Sequence, residues 1–316
     1  MKITRLATLA AASGLLLTLA ACGSDPTNTS AGSDTTASAS GGAGASGSIV
    51  VGSAPFGESE ILAEIYAGAL KAKGFDASTH LDIGQREAYI GALEDGSIQL
   101  FPEYTGNLLT FIDPSATATS PDDVVTALKA ALASKEPDLT VLTPAAAEDK
   151  DSLNVTADFA AEHNLHSIAD LKGIDGLSLA ANPEFKTRPY GIPGMEKYYG
   201  ITGVQFTPIS DSGGPATVKA LTSGKVDVAD IYSTTSSISA NKLVTLDDPK
   251  SMVAAQNVVP LLRKDADSPD VDAVLNAVSA KLTTQSLLEL NATFDGPDKP
   301  KAADVASDWL KANGLA

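Results

Sequence analysis

The chain carries little equipment for covalent chemistry. It has three histidines, His80, His163 and His166, and one cysteine, Cys22. A hydrolase needs a nucleophile, a base and an orienting acid within reach of one another, and no Gly-x-Ser-x-Gly elbow presents a serine nucleophile. His163 and His166 stand three apart and could share a helix face, but no third ligand lies near them, which argues against a metal centre. Glu58 and Glu103 are conceivable as a carboxylate pair for acid–base work. Their simpler roles are to cap the first helix and to orient the segment around Tyr104. Gly213-Gly214-Pro215 could admit an anion at a helix N-terminus, but it lacks the full dinucleotide fingerprint and reads as a tight helix entry. No catalytic set, metal site or cofactor is expected.

What remains is recognition chemistry. Aromatic residues make up 5% of the sequence, so each one beside a strand end is informative. Tyr104 follows the apolar run Ile98–Phe101, and Tyr232 follows Val226–Ile231. α/β lobes place their binding loops at such strand ends, although a tyrosine there can equally be a partly buried packing residue. Tyr89 lies inside a helical pattern, where core packing is at least as good a reading. Tyr190, Tyr198 and Tyr199 follow Arg188, and no spacing separates them. The planar fork of Arg188 can hold a carboxylate through two hydrogen bonds, and its Pro-flanked segment suits a rigid site; the alternative is a surface arginine. Arg86, near a helix start, is a second basic candidate.

The elements that must position these residues follow an α/β pattern. Ile49–Gly52 reads as a strand that stops at glycine. Ile61, Leu62, Ile65, Tyr66, Ala69 and Leu70 recur at helical spacing, and Gly74 closes that helix. A helix over Arg86–Leu93 leads into the Ile98–Phe101 strand; Val124–Leu132 gives a helix and Leu139–Leu142 a strand. A second α/β set starts near Ser152, with strands over Leu177–Ala180, Val204–Ile209 and Val226–Ile231 and a helix over Pro215–Thr222. From about Asp270 the chain is helical, with Leu275, Val278, Leu282, Leu287 and Leu290 in one apolar stripe. No fixed-period repeat is present, which excludes solenoids and propellers. Crossings between two lobes are expected near Ala145–Leu153 and Ala254–Val259, with one large α/β domain as the rival arrangement.

The N-terminus bears on location. Lys2 and Arg5 precede an apolar stretch, Leu6–Leu19, interrupted only by Thr8, Ser13 and Thr18 and too short to span a bilayer comfortably. It ends in Leu19-Ala20-Ala21-Cys22, which resembles a bacterial lipobox. Residues 1–21 are therefore read as a lipoprotein signal peptide, with Cys22 the lipidated residue anchoring the chain outside the membrane. Residues 22–47, rich in Gly, Ser, Ala, Thr and Asp, read as the lipidated cysteine and a flexible tether. A single cysteine excludes a disulfide framework. The net charge of −17 argues against nucleic acid as a partner.

A set of short segments then occurs in order along the chain. It comprises Val51-Gly52-Ser53, Phe56-Gly57-Glu58, Gly91–Gly96, Pro102-Glu103-Tyr104-Thr105-Gly106, Glu184–Pro189, Gly213-Gly214-Pro215, Val226–Asp230 and Gln256–Pro260. Together, from about Ser48 to the C-terminus, they resemble the substrate-binding proteins of osmoprotectant ABC transporters, which take up glycine betaine, choline, carnitine and related quaternary amines. The resemblance implies a type II periplasmic-binding-protein fold, two α/β lobes joined by a hinge: residues 48–148 plus 256–316, and residues 149–255. It implies an extracytoplasmic, monomeric, non-enzymatic protein that passes its solute to an ABC permease driven by a separate ATPase. The chain has no Walker A run and is not itself the pump.

A quaternary ammonium has no N–H to donate, so aromatic faces recognise it better than carboxylates alone do. In the family's motif Tyr104 is a wall of such a cage. The ligand-binding set implied is Tyr104, Tyr232, Arg188, Glu58, Tyr89 and Arg86. Two positions depart from the betaine pattern: Ala54 stands where a lysine or other polar residue is common, and Ser59 where glutamine is frequent. Both changes remove polar contacts and leave the solute's identity open. The alternatives are a binding protein of this fold for a different small organic solute and, further off, a secreted enzyme.

Overall fold

The computed structural model describes residues 47–316. The readings placed on the signal segment, Cys22 and the tether as far as Ser46 lie outside these residues. The first stretch of chain runs β1 (Ile49–Gly52), α1 (Gly57–Ala72), β2 (Ala77–His80), α2 (Arg86–Glu94), β3 (Leu100–Tyr104), α3 (Thr105–Ile112), α4 (Pro121–Lys135) and β4 (Leu139–Val141). The second runs β5 (Leu153–Val155), α5 (Ala157–His163), β6 (Ser178–Ala181), α6 (Ile192–Gly194), β7 (Gln205–Pro208), α7 (Pro215–Thr222), β8 (Val228–Asp230), α8 (Ser237–Ala240) and β9 (Val244–Thr245). The chain then returns as β10 (Val258–Arg263), followed by α9 (Pro269–Ser279), α10 (Thr284–Phe294) and α11 (Ala302–Ala312).

Two five-stranded mixed sheets result, in the orders β2-β1-β3-β10-β4 and β7-β6-β8-β5-β9. Each has three parallel strands joined to an antiparallel pair. The two-lobed α/β fold anticipated from the sequence is the one that forms, and a single large sheet is not. Each sheet has its own apolar core. In the first, Ile61, Leu62, Ile65, Tyr66 and Leu70 of α1 pack with Leu275, Val278, Leu282, Leu287 and Leu290 of the C-terminal stripe. In the second, Leu179, Val228, Phe185, Met195 and Tyr199 form the centre.

Local chemistry sets the element ends. α1 closes where Gly74 takes φ +88°, a conformation that costs glycine little. α4 and α9 both begin with a Ser-Pro pair. The Ser120 and Ser268 hydroxyls accept from the third backbone N–H of their helices while proline occupies the first turn. Two linkers join the lobes and run side by side. Ala145 N–H donates to Val258 C=O at 2.8 Å, Asp149 N–H to Gln256 C=O at 3.2 Å, and Glu148 bridges to Asn257 in antiparallel fashion.

Candidate functional site

The first lobe's side of the site is built on the C-terminal end of β3. Side chains alternate along a strand, so Leu100 and Tyr104 join the α1 side of the sheet while Phe101 faces α2 and α4. Glu103, fully buried, takes the Arg86 guanidinium through two hydrogen bonds, Nε to Oε1 at 2.6 Å and Nη2 to Oε2 at 3.2 Å. It also accepts the Tyr89 hydroxyl at 2.5 Å and the Tyr104 backbone N–H. Tyr89 stacks on Phe101 with ring centres 3.8 Å apart. One carboxylate thus fixes both α2 candidates and also holds the backbone of Tyr104, the segment Glu103 was expected to orient. Burial works against the Arg86 charge, but the Glu103 carboxylate holds the guanidinium firmly protonated.

Tyr104 is the last residue of β3 and the N-cap of α3. The segment expected to be a loop around it is therefore a strand end running directly into a helix. Its hydroxyl donates to Glu58 Oε1 at 2.7 Å. Glu58 was expected to cap α1. It does sit in the first turn, but its carboxylate turns away from the helix end and accepts from Tyr104, Thr234 Oγ1 (2.7 Å) and Asn291 Nδ2 (2.6 Å). Burial raises the Glu58 pKa in spite of these donors. Burial and the nearby Glu58 carboxyl push the Tyr104 phenol well above its usual value, so it stays neutral.

The second lobe contributes from the ends of β6 and β8. Tyr232 lies two residues beyond β8, and its hydroxyl accepts from Asn182 Nδ2 at 3.4 Å. Asn182 also accepts the Ser212 N–H at 3.0 Å. Phe56, at the start of α1, meets both lobes: its ring centre is 5.4 Å from that of Tyr232 at 71° and 6.3 Å from that of Tyr104 at 30°. Three rings from two lobes therefore converge. Arg188 follows a 3₁₀ turn over Pro183–Lys186 and reaches across to the first lobe. There its Nη2 donates to Glu87 Oε1 at 2.6 Å, and its guanidinium carbon lies 5.4 Å from the Phe111 ring centre.

Tyr104, Tyr232, Tyr89, Arg86 and Arg188 all line one cavity of about 70 Å³. Glu58 does not reach it; the carboxylate lies behind Tyr104 and borders a second groove instead. Of the three tyrosines that no spacing separated, Tyr190 lines the cavity. Tyr199 is buried in the second core with its hydroxyl on Asp248, and Tyr198 packs against that core. Ala54 and Ser59 also line the cavity, and the Ser59 hydroxyl accepts the Ala54 N–H at 2.9 Å. His163 packs on Phe159, with ring centres 4.5 Å apart.

Several lining residues escaped the sequence reading: Phe56, Asn107, Asp149, Asp151, Glu184 and Asp230. For three of them a signal was present. Phe56 opens the Phe-Gly-Glu segment, Glu184 opens the Glu184–Pro189 segment, and Asp230 ends a strand in the way Tyr104 does. The carboxyls make the cavity acidic. Burial drives the Asp149 and Asp230 pKa values well above the usual carboxylate value and raises that of Asp151. Asp230 Oδ1 and Glu184 Oε2 are buried with no hydrogen-bond donor. Both guanidiniums are engaged, Arg86 by Glu103 and Arg188 by Glu87. The arrangement can hold a compact cation against aromatic faces and carboxyl oxygens with little water between them.

Residues 47–312 match the family model described as the substrate binding domain of the ABC-type glycine betaine transport system. The chain is 32% identical over 280 residues to the glycine betaine-binding protein YehZ of Escherichia coli (strain K12), covering 84% of this chain and 90% of that protein. A solved structure of apo YehZ from E. coli superposes with a TM-score of 0.61 at 28% identity, covering 85% of this chain and 99% of that one. The crystal structure of a glycine betaine/carnitine/choline ABC transporter superposes with a TM-score of 0.68 at 23% identity, covering 84% and 99%, a likeness of fold. Such proteins bind solutes and are not enzymes. By family model and by relative, this chain belongs to the substrate-binding domains of ABC-type glycine betaine transport systems.

Proposed function

We propose that this protein captures a quaternary-ammonium solute between its two lobes outside the membrane and delivers it to an ABC permease powered by a separate ATPase. One observation carries the reading: Tyr104, Phe56 and Tyr232, drawn from both lobes, converge at a small cavity whose buried unpaired polar atoms are the carboxyl oxygens Asp230 Oδ1 and Glu184 Oε2. Ring faces attract a cation that offers no N–H once water is excluded. The small volume suits a compact solute. Tyr104, Tyr232, Tyr89, Arg86 and Arg188 form the proposed ligand-facing set, joined by Phe56 and Tyr190, while Glu58 acts through Tyr104. With both guanidiniums already paired and the cavity acidic, a cation lacking a carboxylate is favoured over a zwitterion, so choline ranks above glycine betaine. A diacylglycerol on Cys22 holds the monomer close to its permease.

Calorimetric titration of the mature protein with choline, glycine betaine, carnitine and ectoine tests the reading. The expected result is saturable one-to-one binding without turnover, tightest for choline. Binding of betaine alone would overturn the ranking, and no binding by any of the four would overturn the assignment of solute class.

A further inference from the structure

Among the cavity's carboxyls, Asp151 and Asp230 stand apart. Asp230 ends β8 and registers opposite Leu153 of β5, two residues after Asp151, so the sheet itself brings the two side chains together. Both side chains line the same cavity wall. Asp151 Oδ2 accepts from Asn107 Nδ2 at 2.7 Å. Asp230, 3% exposed, leaves Oδ1 without a donor although it lines the cavity. Two neighbouring carboxyls, one half-buried and one buried, resist carrying two charges; the favoured arrangement is one proton shared by the pair.

The surroundings do not relieve that constraint. Arg86 faces the pair from α2 but is bound through two hydrogen bonds to Glu103. Asp149 of the linker adds another carboxyl, itself linked to Glu58, and Glu184 lines the same cavity. Tyr190 and Tyr232 face the pair as neutral phenols, since burial first and the neighbouring carboxyls second raise both. Arg188, beyond Tyr190, is tied to Glu87. Lys150, which borders another pocket with both aspartates and with Asp247 and Asp248, is paired with Glu148 at 3.2 Å, so among the described residues the pair has no unengaged positive charge beside it.

We propose that Asp151 and Asp230 share one proton until a cationic solute enters the cleft, and that the solute's charge expels this proton to bulk water. This inference rests on the solute-capture reading above. The step balances: one carboxyl O–H bond breaks heterolytically, the proton passes to the buffer, and the solute's positive charge takes its place between the two carboxylates. The liganded protein then holds one proton fewer than the free protein. Affinity for a cation accordingly rises with pH through the pair's titration, by at most about tenfold per pH unit, and levels off above it. The coupling would make uptake weaker in acid surroundings.

The test is calorimetric titration of the mature protein with choline chloride in two buffers of different ionisation enthalpy, repeated between about pH 5 and pH 8. The expected result is a buffer-dependent heat corresponding to release of up to one proton, fading to zero as pH rises past the pair's titration. Asp230→Asn keeps the shape but removes the bridging proton. It should abolish the release and flatten the pH dependence of choline affinity. Saturable choline binding by the wild-type protein with no buffer-dependent heat at any pH would overturn the coupling while leaving the transport reading intact. Undiminished release in Asp230→Asn would overturn its assignment to this pair. If neither choline nor glycine betaine binds at any pH, the solute-capture reading fails and this inference with it.

Discussion

Tyr104 shows how one residue does two jobs. Its ring faces the cavity while its hydroxyl satisfies the buried Glu58 carboxylate behind it. The two jobs separate by substitution. Tyr104→Ala removes the aromatic face and should weaken solute binding by about 1–2 kcal/mol, roughly ten-fold, measured by calorimetry. Tyr104→Phe keeps the ring and should leave affinity within a few-fold of wild type. It should nevertheless lower stability to denaturant by about 1–2 kcal/mol, because Glu58 loses one of its donors. Wild-type affinity in Tyr104→Ala would remove this ring from the proposed cage. Glu103 carries a similar double load, since a single buried carboxylate sets the positions of Arg86, Tyr89 and the Tyr104 backbone together. Glu58, Glu103 and Tyr104 were all visible as candidates, but their partners were not. A carboxylate's hydrogen bonds are made with residues as far away as Asn291, 233 positions along the chain from Glu58.

At the scale of elements, β3 is the centre of the design. The sequence pattern ends this strand at Phe101, and the residue that follows, Pro102, has no N–H to give a ladder. The strand continues because Pro102 stands opposite Pro260 of β10, a facing pair that can only be of the non-hydrogen-bonded kind. Three further residues carry it to Tyr104 and straight into α3. The helix must then pass close to the return linker. A Cβ on Gly106 would sit 2.5 Å from the Ala255 carbonyl oxygen, which explains the glycine that closes the Pro-Glu-Tyr-Thr-Gly segment. β2 escaped notice for the opposite reason. Ala77-Ser-Thr-His is a polar edge strand with no apolar alternation to reveal it. The segment after β6 is tied to α2 of the other lobe by Arg188 and Glu87. The Glu87 side chain is 58% exposed, so the pair is a modest clasp. Glu87→Gln should speed solute dissociation roughly two- to three-fold, about 0.5 kcal/mol, with the difference shrinking at high salt. Stopped-flow dissociation measures it, and an unchanged rate at low salt would show that the clasp does not hold the lobes together.

At the scale of the whole molecule, two lobes with separate cores are joined by paired linkers, the geometry in which a hinge can open and close a cleft. Among the described residues no helix is long and apolar enough to cross a membrane, and the anchor proposed above is the lipid on Cys22. In the proposed arrangement the roughly two dozen small and polar residues after Cys22 would serve as a tether that lets the body reach a permease while remaining bound. Expressed in a bacterium that lipidates its exported proteins, wild-type protein should partition into the detergent phase and Cys22→Ser into the aqueous phase. Equal aqueous partition of the two would remove the anchor from the proposal.

The sequence by itself determined the alternation of helices and strands, the two-lobed fold and the family. These depend on periodic burial and on short ordered segments, both of which are local in the chain. It also singled out Tyr104 and Tyr232 as rare aromatics beside strand ends, Arg188 and Arg86 as bases able to hold a carboxylate, and Tyr89 with core packing as an equal reading. Only the tertiary structure decided which of them share a cavity, that Glu58 stands behind it, and that Arg188 spends its charge on Glu87. The pairing of Asp151 with Asp230 belongs to the same class. Their 79-residue separation is closed by an antiparallel strand register, and the electrostatic cost of two neighbouring carboxyls, one of them buried, exists only once β5 and β8 are joined.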